Sequence, residues 1–148
     1  MKVGLGALAT CFTAGFCQEA SAHAAKSERK PIFVQHGVAS WYGEHEYGHR
    51  TASGAVLSPH MLTAAHRSLP FGTKLRVFHH KSGRSVDVVV NDRGPHVPGR
   101  ILDLSKAAAV KLGIRDSGVA LVMVTAFPEG QSPAIRAALA SAHHRRTA

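Results

Sequence analysis

Cysteine is nearly missing from this chain: Cys11 and Cys17 are the only two, and both lie close to the N-terminus. Beyond them there is no thiol, which excludes a disulfide, a cysteine nucleophile or a thiolate metal site in residues 18–148. Acid is scarce as well. Nine Asp and Glu stand against eighteen Lys and Arg, with eleven His besides, so the net charge is +9. Trp41 is the only tryptophan, and Tyr42 and Tyr47 are the only tyrosines. No G-x-S-x-G elbow and no phosphate-binding glycine loop occurs, which removes that class of serine hydrolase and nucleotide chemistry.

The longest apolar stretch, Val3 to Phe16, falls short of the about 20 residues a membrane-spanning helix needs. It follows Met1-Lys2 and precedes Ala20-Ser21-Ala22 and Ala22-His23-Ala24. A charged start, a short apolar core and an A-x-A site make a secretory signal. Residues 1–24 are therefore expected to be a cleaved signal peptide, and the mature chain to be exported, to the periplasm or beyond, without a transmembrane span. Thr10 before Cys11 is a poor lipoprotein processing context, so no lipid anchor is expected. A basic balance favours polyanionic partners. Export takes nucleic acid off that list and leaves an anionic wall polymer or membrane surface, to which the +9 charge would draw the chain.

Residues 25–36 are polar and read as a linker. Gly37 to Gly43 is a short strand, and residues 44–60 are broken by Gly48, Gly54 and Pro59 and read as loop. Met61–Ala65 is a short apolar strand. Leu75 and Val77 alternate with Lys74 and Arg76, and Val86, Val88 and Val90 alternate with Asp87, Val89 and Asn91, as half-buried strands do. A short strand precedes Asp103. Ser105 caps a helix through Leu112 that stops at Gly113. Val119 to Phe127 is almost wholly apolar and is expected to be buried on both faces. About six short strands and one short helix predict an all-β fold, a small closed barrel over residues 37–127. Residues 128–148, ending His143-His144-Arg145-Arg146, read as a basic tail, helical or disordered.

Chemistry-bearing residues gather on strand ends and tight turns around residues 91–105. Asn91-Asp92-Arg93-Gly94-Pro95 is a polar turn after a strand, and Pro98-Gly99-Arg100 leads into the strand that ends near Asp103. Asp92 is either a cleft carboxylate or a turn residue accepting backbone N–H bonds. Asp103 is either an active-site acid or a structural partner of Arg93 or Arg100. His66 is either a core histidine or a cleft residue beside Asp92, and Trp41 and Tyr42 are either core aromatics or platforms that stack on sugar rings. His45-Glu46-Tyr47-Gly48-His49 matches H-E-x-x-H literally. A zinc protease needs that motif on a helix, and Gly43 and Gly48 argue against one here, so neither a metal nor another cofactor is expected.

Six motifs occur in order: Gly37-Val-Ala-Ser-Trp-Tyr-Gly43, Thr51-Ala-Ser-Gly54, Leu62-Thr-Ala-Ala-His-Arg-Ser-Leu-Pro70, Phe71-Gly-Thr73, Asn91-Asp-Arg-Gly-Pro95 and Gly99-Arg-Ile-Leu-Asp-Leu-Ser105. Together they resemble the rare-lipoprotein-A (RlpA-like) family. The resemblance implies a six-stranded double-psi β-barrel related to expansins, and an endolytic peptidoglycan lytic transglycosylase that leaves 1,6-anhydro-muramic acid ends. It implies Asp92 as the catalytic acid/base, His66 as its helper and Asp103 as a further site acid. Trp41, Tyr42, Arg93 and Arg100 are then the expected glycan contacts, and peptidoglycan glycan strands the partner. The family usually carries Glu where this chain has Ala55. A non-catalytic, expansin-like wall binder is the alternative.

Overall fold

The computed structural model describes residues 30–144. The expected signal segment, both cysteines and the last four residues, 145–148, lie outside the described residues. Six strands close into a barrel: β1 (Phe33–Trp41), β2 (Thr63–Ala65), β3 (Lys74–His79), β4 (Ser85–Asp92), β5 (Arg100–Leu104) and β6 (Val119–Ala126). Their order around the barrel is β1-β5-β2-β4-β3-β6. The pairs β1/β5 and β2/β4 run parallel, and the others antiparallel. This is the double-psi barrel expected.

Alternation decides which side chains fill it. Val86, Val88 and Val90 of β4 point inward and are buried, while Ser85, Asp87 and Val89 face out. Leu75 and Val77, Leu102 and Leu104, and Val122 and Val124 do the same from β3, β5 and β6. Each such burial contributes about 1.5–3 kcal/mol, and closure leaves no long unpaired edge.

Three expectations are corrected. β6 is not buried on both faces: Ala120, Val122, Val124 and Ala126 are inside, but Val119 and Leu121 are 50% and 58% exposed. A strand in a small barrel has one inner face, so an apolar run here marks a partly apolar exterior. The barrel begins at Phe33, inside the stretch read as linker. Phe33 is buried and β1 pairs with β6 from Phe33↔Ala126 to Ser40↔Val119. Gln35 and Gly37 hid that strand: they take inward positions, in register with buried Val124 and Val122, and so break the apolar alternation of its inner face.

The tail supplies the third correction, because there are two helices rather than one. α1 (Lys106–Leu112) is the expected helix, with Ser105 as N-cap and Gly113 beyond its end at φ 78°. That left-handed conformation suits glycine alone among ordinary residues. α2 (Pro133–His144) starts with Ser132 Oγ accepting from the Ile135 N–H at 3.3 Å. Leu139 is fully buried against the barrel. Gln131 fastens the approach to α2, accepting from Lys74 N at 3.0 Å and donating to Lys74 O at 2.6 Å. One buried leucine and one bidentate glutamine turn a weakly amphipathic segment into a docked helix. No helix among the described residues is long and apolar enough to cross a membrane.

Candidate active site

The site is built on the end of β2, only three residues long. Ala65 is in register with Asp92 on β4 and with Asp103 on β5. The two aspartates therefore flank one alanine, with backbones roughly 10 Å apart at two strand spacings. His66 follows at once, and its backbone N–H donates to the Asp92 carbonyl at 3.2 Å. β1 enters from the other side, with Ser40 in register with Asp103 and Tyr42 N bonded to Leu104 O. Four strands thus bring Tyr42, His66, Asp92 and Asp103 to one end of the barrel.

Asp92 is held by three donors. Its Oδ1 accepts from Ala52 N and Arg93 N, each at 2.8 Å, and its Oδ2 accepts from the Tyr42 hydroxyl at 2.8 Å. The three donors fix the orientation of the carboxylate. The turn reading and the cleft reading of Asp92 are therefore compatible: backbone amides orient the group, and one edge remains toward the cleft. Arg93 does not pair with it through the side chain. Its guanidinium turns to the 66–71 segment, donating to Leu69 O at 2.9 Å and His66 O at 3.3 Å. It lies 3.8 Å over the Phe71 ring.

His66 is buried. Its Nδ1 accepts from Leu69 N at 3.1 Å and Ser68 N at 3.3 Å, so Nε2 carries the proton toward Gln35 Oε1 at 3.0 Å. These bonds make it a brace for the turn that receives Arg93. Asp103 accepts from the Ser40 hydroxyl, and its other oxygen lies 3.7 Å from Arg100 Nη2. Trp41 packs half-buried against the main core. Tyr42 is 8% exposed, and its hydroxyl is the end that reaches Asp92.

A cleft of about 280 Å³ opens over this end, lined by Tyr42, His45, Glu46, His49, Arg50, Thr51, Leu57 and Asp92. Of the residues singled out from sequence, Asp92 and Tyr42 line it. Trp41, His66, Arg93, Arg100 and Asp103 are not among its lining residues. Sequence reasoning missed Glu46, His45 and His49, which were set aside with the H-E-x-x-H match. The segment makes one 3-10 turn, Glu44–Glu46, rather than an α-helix. Among the described residues no cluster of His, Cys, Asp and Glu has the geometry to hold a metal. The usable signal was a dense run of titratable groups directly after the Trp-Tyr-Gly strand end in an acid-poor chain.

Burial, the bond to Asp92, and the charges of Asp92, Asp103 and Glu46 push the Tyr42 hydroxyl far above the ordinary tyrosine range. Its proton is retained on folding and released from about pH 10 in the unfolded chain. A raised pKa of this kind contributes stability below that value, which is lost as pH rises beyond it. Stability to urea is therefore expected to fall between pH 10 and pH 11.5 in the wild type, and less steeply in Tyr42→Phe. Equal slopes would show that the hydroxyl is not held as described.

The family model described as lytic transglycolase matches residues 34–124, which is the whole barrel but for its last two residues and its first. A probable endolytic peptidoglycan transglycosylase RlpA from Aquifex aeolicus is 58% identical over 89 residues, 60% of this chain and 39% of its own. The endolytic peptidoglycan transglycosylase RlpA of Neisseria meningitidis serogroup B is 47% identical over 100 residues, 68% of this chain and 42% of its own. A Synechocystis relative of the same probable function is 51% identical over 86 residues, covering 27% of its length. The chain thus matches less than half the length of these relatives. Among solved structures, an expansin of Clavibacter michiganensis in complex with cellohexaose superposes with a TM-score of 0.54 at 22% identity, over 68% of this chain and 54% of that one. A Streptomyces papain inhibitor superposes at 0.52 with 22% identity, over 64% of this chain and 94% of that one. These two likenesses concern the fold alone. With a family match spanning nearly the whole barrel and relatives near half identity across it, this chain belongs to the lytic transglycolase family.

Proposed function

We propose that this barrel is an endolytic peptidoglycan lytic transglycosylase, exported behind a cleaved signal at residues 1–24, with Asp92 as its central catalytic group. The observation that carries the reading is the Asp92 carboxylate, oriented by Ala52 N, Arg93 N and Tyr42 Oη at the floor of an open cleft. The reaction breaks the bond between muramic C1 and the glycosidic oxygen through an oxocarbenium-like centre. The nucleophile is the sugar's own 6-hydroxyl, so attack is intramolecular and the product is a 1,6-anhydro ring. An ionised Asp92 faces the developing positive charge and accepts the 6-hydroxyl proton.

Tyr42 holds one carboxylate edge in place. His66 and Arg93 act behind it, by fixing the 66–71 turn and keeping a cation from pairing with the carboxylate. Asp103, with Ser40 and Arg100, braces the neighbouring strand end. Trp41 is assigned to the core. The +9 charge supports attraction to the anionic wall, and the secretory signal supports a site of action in the periplasm or outside the cell.

The test is digestion of purified, amidase-stripped peptidoglycan with mass analysis of the products. Soluble fragments lighter by one water than hydrolytic fragments are expected. Fragments at the hydrolytic mass would replace the reading with a water-using glycosidase. Pelleting with the wall without any product would replace it with a glycan binder.

A further inference from the structure

Asp92 is not the cleft's only carboxyl group. Glu46 ends the 3-10 turn and lines the same cleft. The other acids near the barrel rim are engaged: Glu44 by the Lys106 ammonium, and Asp103 by Ser40 and Arg100. Glu46 differs. Its side chain is 45% exposed, and its contact at ion-pair distance among the described residues is the His45 ring at 3.8 Å, itself 86% exposed. The Glu46 charge also acts on the Tyr42 hydroxyl, the group bonded to Asp92, so both carboxyl groups bear on one point of the cleft wall.

The two acids are also unlike in their hydrogen bonding. Both Asp92 oxygens already accept protein donors, so this group is held as an acceptor and has no proton to give. Departure of the glycosidic oxygen needs the opposite, a group that gives one. We propose that Glu46 is the second catalytic carboxyl group of this cleft, the acid that protonates the leaving glycosidic oxygen while Asp92 takes the 6-hydroxyl proton. The inference rests on the lytic transglycosylase reading above.

The step balances. The 6-oxygen forms a bond to C1 as the C1–O bond to the next sugar breaks. The Glu46 proton goes to the departing oxygen, which becomes a 4-hydroxyl, and the 6-hydroxyl proton goes to Asp92. No water, oxidant or cofactor is consumed, and proton exchange with solvent restores both carboxyl groups.

An acid that serves only the leaving group is dispensable when that group leaves well unaided. The experiment uses the full chain on purified peptidoglycan and on a muramic-terminated glycan oligomer bearing a 4-nitrophenyl aglycone at C1. Glu46→Gln is expected to lower anhydro-product release from peptidoglycan by about 100-fold, while its rate on the nitrophenyl glycoside stays within about threefold of wild type. Asp92→Asn loses both. Glu46→Asp, which keeps a carboxyl group, recovers part of the activity on peptidoglycan. Glu46→Gln releasing product from peptidoglycan at the wild-type rate overturns the proposal. So does a Glu46→Gln variant that loses both substrates equally, since a positioning or structural role would not depend on the leaving group. Should wild type cleave neither substrate, the transglycosylase reading fails and takes this role with it, an outcome visible before any variant is made.

Discussion

Replacing Asp92 with Asn is expected to lower anhydro-muropeptide release by about 10²–10⁴-fold, the usual range for loss of a positioned proton-transfer group. The substitution is close to isosteric. Asn Oδ1 can still accept from Ala52 N and Arg93 N, and the Tyr42 hydroxyl can reverse to accept from the new amide. The turn therefore keeps its hydrogen bonds, and the core is untouched. What disappears is the negative charge facing C1 and the site that takes the 6-hydroxyl proton. Product release by mass spectrometry, together with a urea midpoint, separates the two effects. A midpoint near wild type with release down by two orders of magnitude or more is the expected pair. Full activity in Asp92→Asn would remove Asp92 from the mechanism, whatever the fold around it.

Ser105→Ala is expected to destabilise the barrel by about 3 kcal/mol. Ser105 is fully buried, and its hydroxyl serves three elements at once. It donates to Met61 O, accepts from Thr63 N at 3.3 Å at the head of β2, and accepts from Ala108 N at 3.4 Å in the first turn of α1. Loss of an N-cap alone costs about 1 kcal/mol. Each buried group left without its partner adds about 1–3 kcal/mol, and groups in one network do not sum fully. Denaturant unfolding at neutral pH checks the value. A cost under about 0.5 kcal/mol, the level of an ordinary surface change, would mean that the hydroxyl is not the joint described. Because Thr63 and Asp103 sit beside this joint, a partial loss of activity should accompany the loss of stability.

Much of the barrel was legible in the chain. The Leu75/Val77 and Val86/Val88/Val90 alternations place β3 and β4 directly, since a period of two is written in neighbouring residues. Ser105 and Gly113 bracket α1 by local chemistry. β1 was harder to read, because Gln35 and Gly37 occupy inward positions and Phe33 stands apart from the strand signal at Val38–Trp41. β6 was found, but an apolar run does not say which face is solvated. α2 was ambiguous because its stability comes from Leu139 and Gln131 meeting the barrel, and propensity alone carries no trace of that.

The site divides along the same line. Asp92 and Tyr42 stood in dense motifs and were found. Arg93 and Trp41 stood beside them, yet one side chain turns to the 66–71 carbonyls and the other to the core. Adjacent residues in extended backbone point to opposite faces, so proximity in sequence does not place two side chains in one cleft. Glu46, which lines the cleft, was passed over because its motif was weighed only as a zinc site.

By itself, then, the sequence determined the class of fold, the positions of most strands, the caps of α1 and the presence of a carboxylate near the end of β4. These depend on residues within a few positions of one another. Only the tertiary structure decided that Asp92 and Asp103 flank Ala65, that Tyr42 holds Asp92 from 50 residues away, and that Glu46 shares its cleft. Those facts depend on strand register and barrel closure, which are set by how the whole core packs.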